Sequence, residues 1–159
     1  MLVVADSSAL VALAVCDGLT LLDGLFREIK VPPAVFRECT VPGKPAADVL
    51  AGYLQDKVET VDLSEFVITA TDLGRGELEA MALCKRLGAD RLLVDDRRAR
   101  DIARLNAIRI IGSLGVLVAA KEQGFVPLIR PRIDAIRSTG IRLGDRIVAE
   151  ALLLAGEAP

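Results

Sequence analysis

Histidine is absent from the 159 residues. That removes Ser-His-Asp and Cys-His catalysis, an imidazole base, and every zinc site that uses a histidine ligand. Cysteine is scarce: Cys16, Cys39 and Cys84 are an odd number set far apart, which offers neither a disulfide framework nor a C-x-x-C clip. They read as small core residues in a reducing compartment. Aromatics make up only 3%, so base stacking has little to draw on. Positive charge is not in surplus either; 20 basic against 22 acidic residues give a formal charge of −2 and a pI of about 5.3, which excludes a simple basic nucleic-acid coat. The longest uncharged runs, Ser7–Cys16 and Ile110–Ala120, fall short of the roughly 17 to 25 residues that span a membrane. A secretory leader would need a positive start, whereas the first charged side chain is Asp6. The expectation is a soluble, cytoplasmic protein without a membrane partner.

What is present is apolar. Hydrophobic residues reach 52% and the mean hydropathy is +0.44, the composition of a packed globule. Length predicts one domain, residues 1–159. Leu2 to Ala5 is a valine-rich run ending at Asp6, and predicts a strand feeding a helix. A helical stretch from about Ser8 to Phe26, broken near Asp17-Gly18, leads to a strand at Ile29 to Val31. Pro32-Pro33 opens a helix over Ala34 to Cys39. Beyond the turn at Gly43 to Pro45, Ala46 to Asp56 predicts a helix and Val58 to Val61 a strand. Helices at Gly76–Leu87, Arg97–Leu105 and Ser113–Glu122 then alternate with strands at Leu92–Val94 and Ile108–Ile111.

Such alternation predicts an α/β fold: three layers, α/β/α, around a mainly parallel sheet, with working residues gathered beyond the carboxyl ends of the strands. The core should occupy about residues 1–125. From about 126 to 159 a helical appendage follows, with Pro127 and Pro131 flanking a link into helices around Ile133–Ser138 and Asp145–Ala155. In the last helix Ile147, Val148, Ala151, Leu152 and Ala155 form one apolar stripe that must dock somewhere.

The acids carry the chemical signal. Asp6 directly follows one strand and Asp95-Asp96 another, so three acids meet at one rim of the sheet if both strands run parallel. Carboxylates crowded there repel one another unless a cation neutralises them, and an all-oxygen site suits Mg²⁺ or Mn²⁺. Glu38, on the helix after the second strand, and Glu77 and Glu79, in a Gly-Glu-Leu-Glu helix start, could complete the cluster. In a regular helix Glu77 and Glu79 point to different sides, so one metal would not take both equally. Plainer readings stand beside these: Asp6 as a helix cap, Glu77 and Glu79 as complements to the helix dipole, Glu38 as surface charge, and Asp95-Asp96 with Arg97-Arg98 as a solvated ion-pair turn.

Four segments together resemble one known family. Val3-Val4-Ala5-Asp6-Ser7-Ser8 is similar to the opening D-x-[S/T/N] motif of PIN domains, and Val31-Pro32-Pro33-Ala34-Val35-Phe36-Arg37-Glu38 to their second motif. Leu73-Gly74-Arg75-Gly76-Glu77-Leu78-Glu79-Ala80 and Leu92-Leu93-Val94-Asp95-Asp96-Arg97 resemble the third and fourth, in the required order. The likeness covers about residues 2–125, and the tail resembles that of a prokaryotic subgroup described as predicted nucleic-acid-binding proteins. By this resemblance the catalytic acids map to Asp6, Glu38, Glu79 and Asp96, with Ser8 orienting a carboxylate or bound water and Glu77 and Asp95 as competing ligands. The family usually carries a lone Asp where Glu77 and Glu79 stand, and a Thr where Val94 stands.

The resemblance implies hydrolysis of phosphodiester bonds in single-stranded RNA by an endoribonuclease dependent on Mg²⁺ or Mn²⁺. It further implies the toxin half of a VapBC-type toxin–antitoxin pair, a homodimer that binds an antitoxin protein. Setting the six acids of the cluster aside leaves 16 against 20 basic residues, so the rest of the surface can attract phosphate. Arg97, Arg100 and Arg104 lie at helical spacing beside the acids, and Arg130, Arg132, Arg137, Arg142 and Arg146 enrich the tail; a merely solvated face reads the same way. A haloacid-dehalogenase-type phosphatase would want a second acid where Ser8 stands, and a response-regulator receiver would carry its acidic pair early in the chain. The remaining alternative is a non-catalytic nucleic-acid-binding or assembly module on the same fold.

Overall fold

The computed structural model describes residues 1–70 and 72–159. β1 (Leu2–Ala5) lies near the middle of a four-stranded sheet with β2 (Glu28–Lys30), β3 (Arg91–Leu93) and β4 (Ile110–Ile111), in the order β2-β1-β3-β4, every pair parallel. Helices flank this sheet, as the alternating pattern requires. Val3, Val4 and Ala5 are wholly buried, because a strand covered on both faces must be apolar along its whole length. Register sets Val3 opposite both Ile29 and Arg91, so the strand ends line up on one rim.

Between the strands run α1 (Ser7–Val15), α2 (Leu19–Leu25), α3 (Pro33–Cys39), α4 (Ala47–Leu54), α5 (Arg75–Leu87), α6 (Arg97–Leu105) and α7 (Ser113–Glu122). The break between α1 and α2 falls where the sequence suggests: Asp17 adopts φ +55, Gly18 donates its N–H back to the Leu13 carbonyl at 2.7 Å, and the two helix axes differ by 111°. Asp tolerates this left-handed conformation better than most residues. Among the described residues no single helix is long and apolar enough to cross a membrane.

Two expectations give way. Val58 to Val61 is not a strand; Val58 makes one bridge to Val31, after which the chain leaves for a 3-10 turn at Leu63–Glu65. Valine and threonine favour a pleated surface only where a partner continues beside them, and Pro32 ends the neighbouring chain's extended course one residue past Val31. The helix expected around Ile133–Ser138 starts earlier, because α8 spans Arg130–Ser138 and takes Pro131, expected only to flank the link, into its first turn, where no backbone donor is required.

α9 (Asp145–Leu154) resolves the question of its stripe. Val148, Ala151, Leu152 and Ala155 are buried in the same apolar cluster that holds β1, together with Ile129, Ile133 and Ile136. Ile147 stays 45% exposed. Glu157 fastens the end of the chain: Oε1 accepts from Lys121 Nζ at 2.9 Å and Ile129 N at 2.7 Å, and Oε2 from Arg130 N at 3.1 Å.

Candidate active site

Parallel strands end on a common rim, and acids stand just past two of them: Asp6 directly after β1, and Asp95-Asp96 one residue beyond β3. The Asp6 amide donates to the Leu93 carbonyl at 2.8 Å, extending the ladder one step beyond β1, so Asp6 and the Asp95-Asp96 pair leave adjacent strands side by side. Ser8 links them: its hydroxyl donates to Asp6 Oδ2 at 3.1 Å and accepts from the Asp95 amide at 3.1 Å. Ser7 reaches the other way, its hydroxyl donating to Glu38 Oε2 at 2.9 Å and drawing α3 to the same place. The start of α5 closes the group. Glu38 rests against Gly76, where a β-carbon would come within 2.5 Å of Glu38 Oε1, so only glycine lets the two approach.

Asp6 occupies the position before α1 yet makes no capping hydrogen bond to that helix. Its side chain is withdrawn from solvent, the residue being 2% exposed, and Oδ1 has no hydrogen-bond partner among the described residues. Burial raises its pKa from 3.8 to about 6; the Ser7 amide and Ser8 hydroxyl pull the other way, while the charges of Glu77 and Glu38 add to the rise. The neighbouring Cys39 thiol is pushed up to about 12, by burial first and then by Asp6 and Glu38. It is inert as a nucleophile at neutral pH.

The other acids divide by what already holds them. Glu77 shares the field of Asp6, and its Oε2 accepts from the Gly74 amide at 2.9 Å at the start of α5. Glu79 faces elsewhere, as helical spacing demands: it is 5% exposed, with Oε2 accepting from Ala34 N at 3.0 Å and Oε1 from Arg75 Nε at 2.8 Å. Both of its oxygens thus serve the start of α3 and the Arg75 ion pair. Asp95 accepts the Ser113 amide at 2.7 Å and the Ser113 hydroxyl at 2.6 Å, tying β3 to the start of α7. Asp96 is exposed and its Oδ1 accepts from Ala99 N at 2.9 Å, starting α6.

Among the described residues no three acidic or cysteine side chains form a ready ligand group for a metal ion. The donor chemistry nonetheless fits a hard divalent cation. The carboxylates and serine hydroxyls offer oxygen donors, the Cys39 thiol stays protonated, and the shielded Oδ1 of Asp6 lacks the partner that a buried carboxylate oxygen needs. Beside the acids opens a cleft of about 730 Å³, with Ser8, Asp95, Asp96 and Arg97 on the sheet side and part of the 141–150 segment on the other. Arg97 is exposed there. Arg100 is half-buried and lines an adjoining cavity of about 460 Å³, whereas Arg104 is paired with Asp101 at 3.0 Å. Sequence reasoning missed Ser7 and Gly76 as parts of this site. The Gly-Glu-Leu-Glu segment carried the signal, since a glycine in a helix's first turn costs stability unless something needs its missing side chain.

A family model described as a PIN domain matches residues 2–157, a span that includes α8 and α9. No curated protein and no solved structure matches the chain.

Proposed function

With residues 2–157 matched, the chain belongs to the PIN-domain family, a nuclease family whose members typically use divalent metal ions; on that premise we propose that it is a Mg²⁺- or Mn²⁺-dependent endoribonuclease acting on single-stranded RNA. The observation that carries the reading is the unpartnered, buried Oδ1 of Asp6 beside Glu38 and Glu77. A folded protein tolerates a shielded, unpaired carboxylate oxygen, at a cost of about 1 to 3 kcal/mol, where function requires it. Asp6, Glu38 and Glu77 would hold the ion, with Asp96 at the edge of the cleft. Glu79 supports them by fixing α3, which carries Glu38. Ser8 orients Asp6 through its hydroxyl, and Arg97 draws the phosphate towards the acids. When bound, a divalent ion supplies an activated water and polarises the scissile phosphate, chemistry that needs no histidine.

The toxin role, with its antitoxin partner and homodimer, rests on the resemblance of the four motifs. The competing reading, a module that binds RNA without cutting it, is separated by experiment. A labelled single-stranded RNA is incubated with the protein in Mg²⁺, in Mn²⁺ and in EDTA. Products are expected with either ion and none in EDTA, and Asp6→Ala should abolish them while its far-ultraviolet circular dichroism stays unchanged. Glu77→Gln should lower cleavage by about 10² or more in a stable protein, whereas Glu79→Gln should lower the melting temperature and keep more of the activity. Near-normal cleavage by Asp6→Ala refutes the site, and tight RNA binding without ion-dependent products favours the module.

A further inference from the structure

Five arginines enrich the C-terminal extension, and the structure separates them by what they touch. Arg130 donates to the Ala158 carbonyl. Arg132 donates to the carbonyls of Cys16 and Asp17, at 2.6 and 2.9 Å, at the end of α1. Arg137 holds the Leu143 carbonyl at 3.1 Å and Asp145 at 2.8 Å. These three are fasteners. Arg142 and Arg146 are exposed and make no hydrogen bond or ion pair among the described residues, and both line the cleft opposite Ser8, Asp95, Asp96 and Arg97.

We propose that Arg142 and Arg146 of the C-terminal extension grip the RNA backbone across the cleft from Arg97, positioning the strand against the acids. The proposal rests on the ribonuclease reading and adds the wall that reading lacks. The acids repel a polyanion, and Glu150, which also faces the cleft, adds to that repulsion. Cations must therefore stand close by for a strand to enter. Both arginines sit on a rigid mount. Arg146 is in the first turn of α9, whose inner face is buried at Val148, Ala151 and Leu152; Arg142 is on the loop that Arg137 brackets through Leu143 and Asp145. Guanidinium groups suit this task because they meet phosphate oxygens in pairs.

Binding of a fluorescent single-stranded RNA is measured as a function of salt on the cleavage-dead Asp6→Asn protein, and steady-state cleavage on the protein with Asp6 intact. Arg142→Gln/Arg146→Gln is compared with Arg27→Gln/Arg109→Gln, which removes two exposed charges just before β2 and β4, at the opposite end of the sheet. The first pair should weaken binding by about tenfold or more and flatten the log–log salt slope by about 1.4, the value for two lost contacts to a single strand. KM should rise by a similar factor with kcat within about threefold, and the control pair should bind within about twofold of the parent. Equal losses in both pairs, no loss in the first, or a fall in kcat with KM unchanged each overturn the proposal and leave the nuclease reading standing. A parent that neither binds nor cleaves RNA overturns both.

Discussion

Asp6 and Glu157 lie near opposite ends of the chain, each beside the start of a helix and each nearly closed to solvent, at 2% and 9% exposure. Glu157 is satisfied by two backbone amides at the beginning of α8 and by the Lys121 ammonium. Burial alone would raise its pKa, but those donors outweigh it and hold the carboxyl below its ordinary value. Asp6 is buried without comparable donors, next to two other acids, and its pKa moves the other way. A carboxylate that serves the fold is surrounded by donors. One that the fold leaves short of donors, among like charges, is kept at a cost in stability and marks a place where something else binds.

The largest effect should come from breaking the satisfied acid. Glu157→Ala leaves the Ile129 and Arg130 amides and the Lys121 ammonium without their acceptor, and denaturant unfolding should show a loss of about 2 to 4 kcal/mol. Cleavage at a temperature where the variant is folded should persist, since Glu157 touches none of the acids at the rim. The unsatisfied acid predicts the reverse. Asp6→Asn removes a charge that burial and its neighbours oppose, so in EDTA the variant should be more stable than the parent by about 1 to 3 kcal/mol, while cleavage is lost. A destabilised Asp6→Asn protein would mean that Asp6 is a structural residue and that its lack of a partner has no functional meaning.

The contrast also bounds what could be read from residues alone. Strand–helix alternation, the proline start of α3, and acids placed just past two apolar runs depend on local pattern; a parallel sheet follows from them, and with it the meeting of Asp6 and Asp95, whereas the strand order β2-β1-β3-β4 does not. Helical spacing showed that Glu77 and Glu79 part company, but which of them turns inward depends on where α3 packs. The tail arginines are one residue type in one stretch, and only tertiary contact separates three fasteners from two cleft residues. Glu157 carried no signal, because its partners are two backbone amides and a lysine, 27, 28 and 36 residues away. Val58 to Val61 misled for a related reason: its residues suit a strand, but the neighbouring chain turns at Pro32 and offers no edge to extend along.

The smallest expected effect is a slope. For Asp6 the folded pKa, about 6, lies above the unfolded 3.8, so between these values the folded chain binds the proton more tightly and raising the pH works against folding. Below about pH 3, well under both values, the group is protonated in both states and imposes nothing. Above about pH 7, clear of both values, the deficit is constant. Glu157 acts in the opposite sense: it stabilises the fold above its unfolded pKa of 4.5 and loses that contribution as pH falls through its lowered folded value. The raw stability profile therefore mixes the two, and subtracting the Asp6→Asn profile isolates the first. Measured by urea unfolding in EDTA, the difference should be flat below about pH 3, change by at most about 1.4 kcal/mol per pH unit between the two pKa values, and level off above about pH 7. A difference independent of pH would mean that the Asp6 carboxylate is as well solvated in the folded protein as in the unfolded one. The same titration with saturating Mg²⁺ should flatten the difference, because an ion that binds only the ionised, folded form adds stability where the charge otherwise subtracts it.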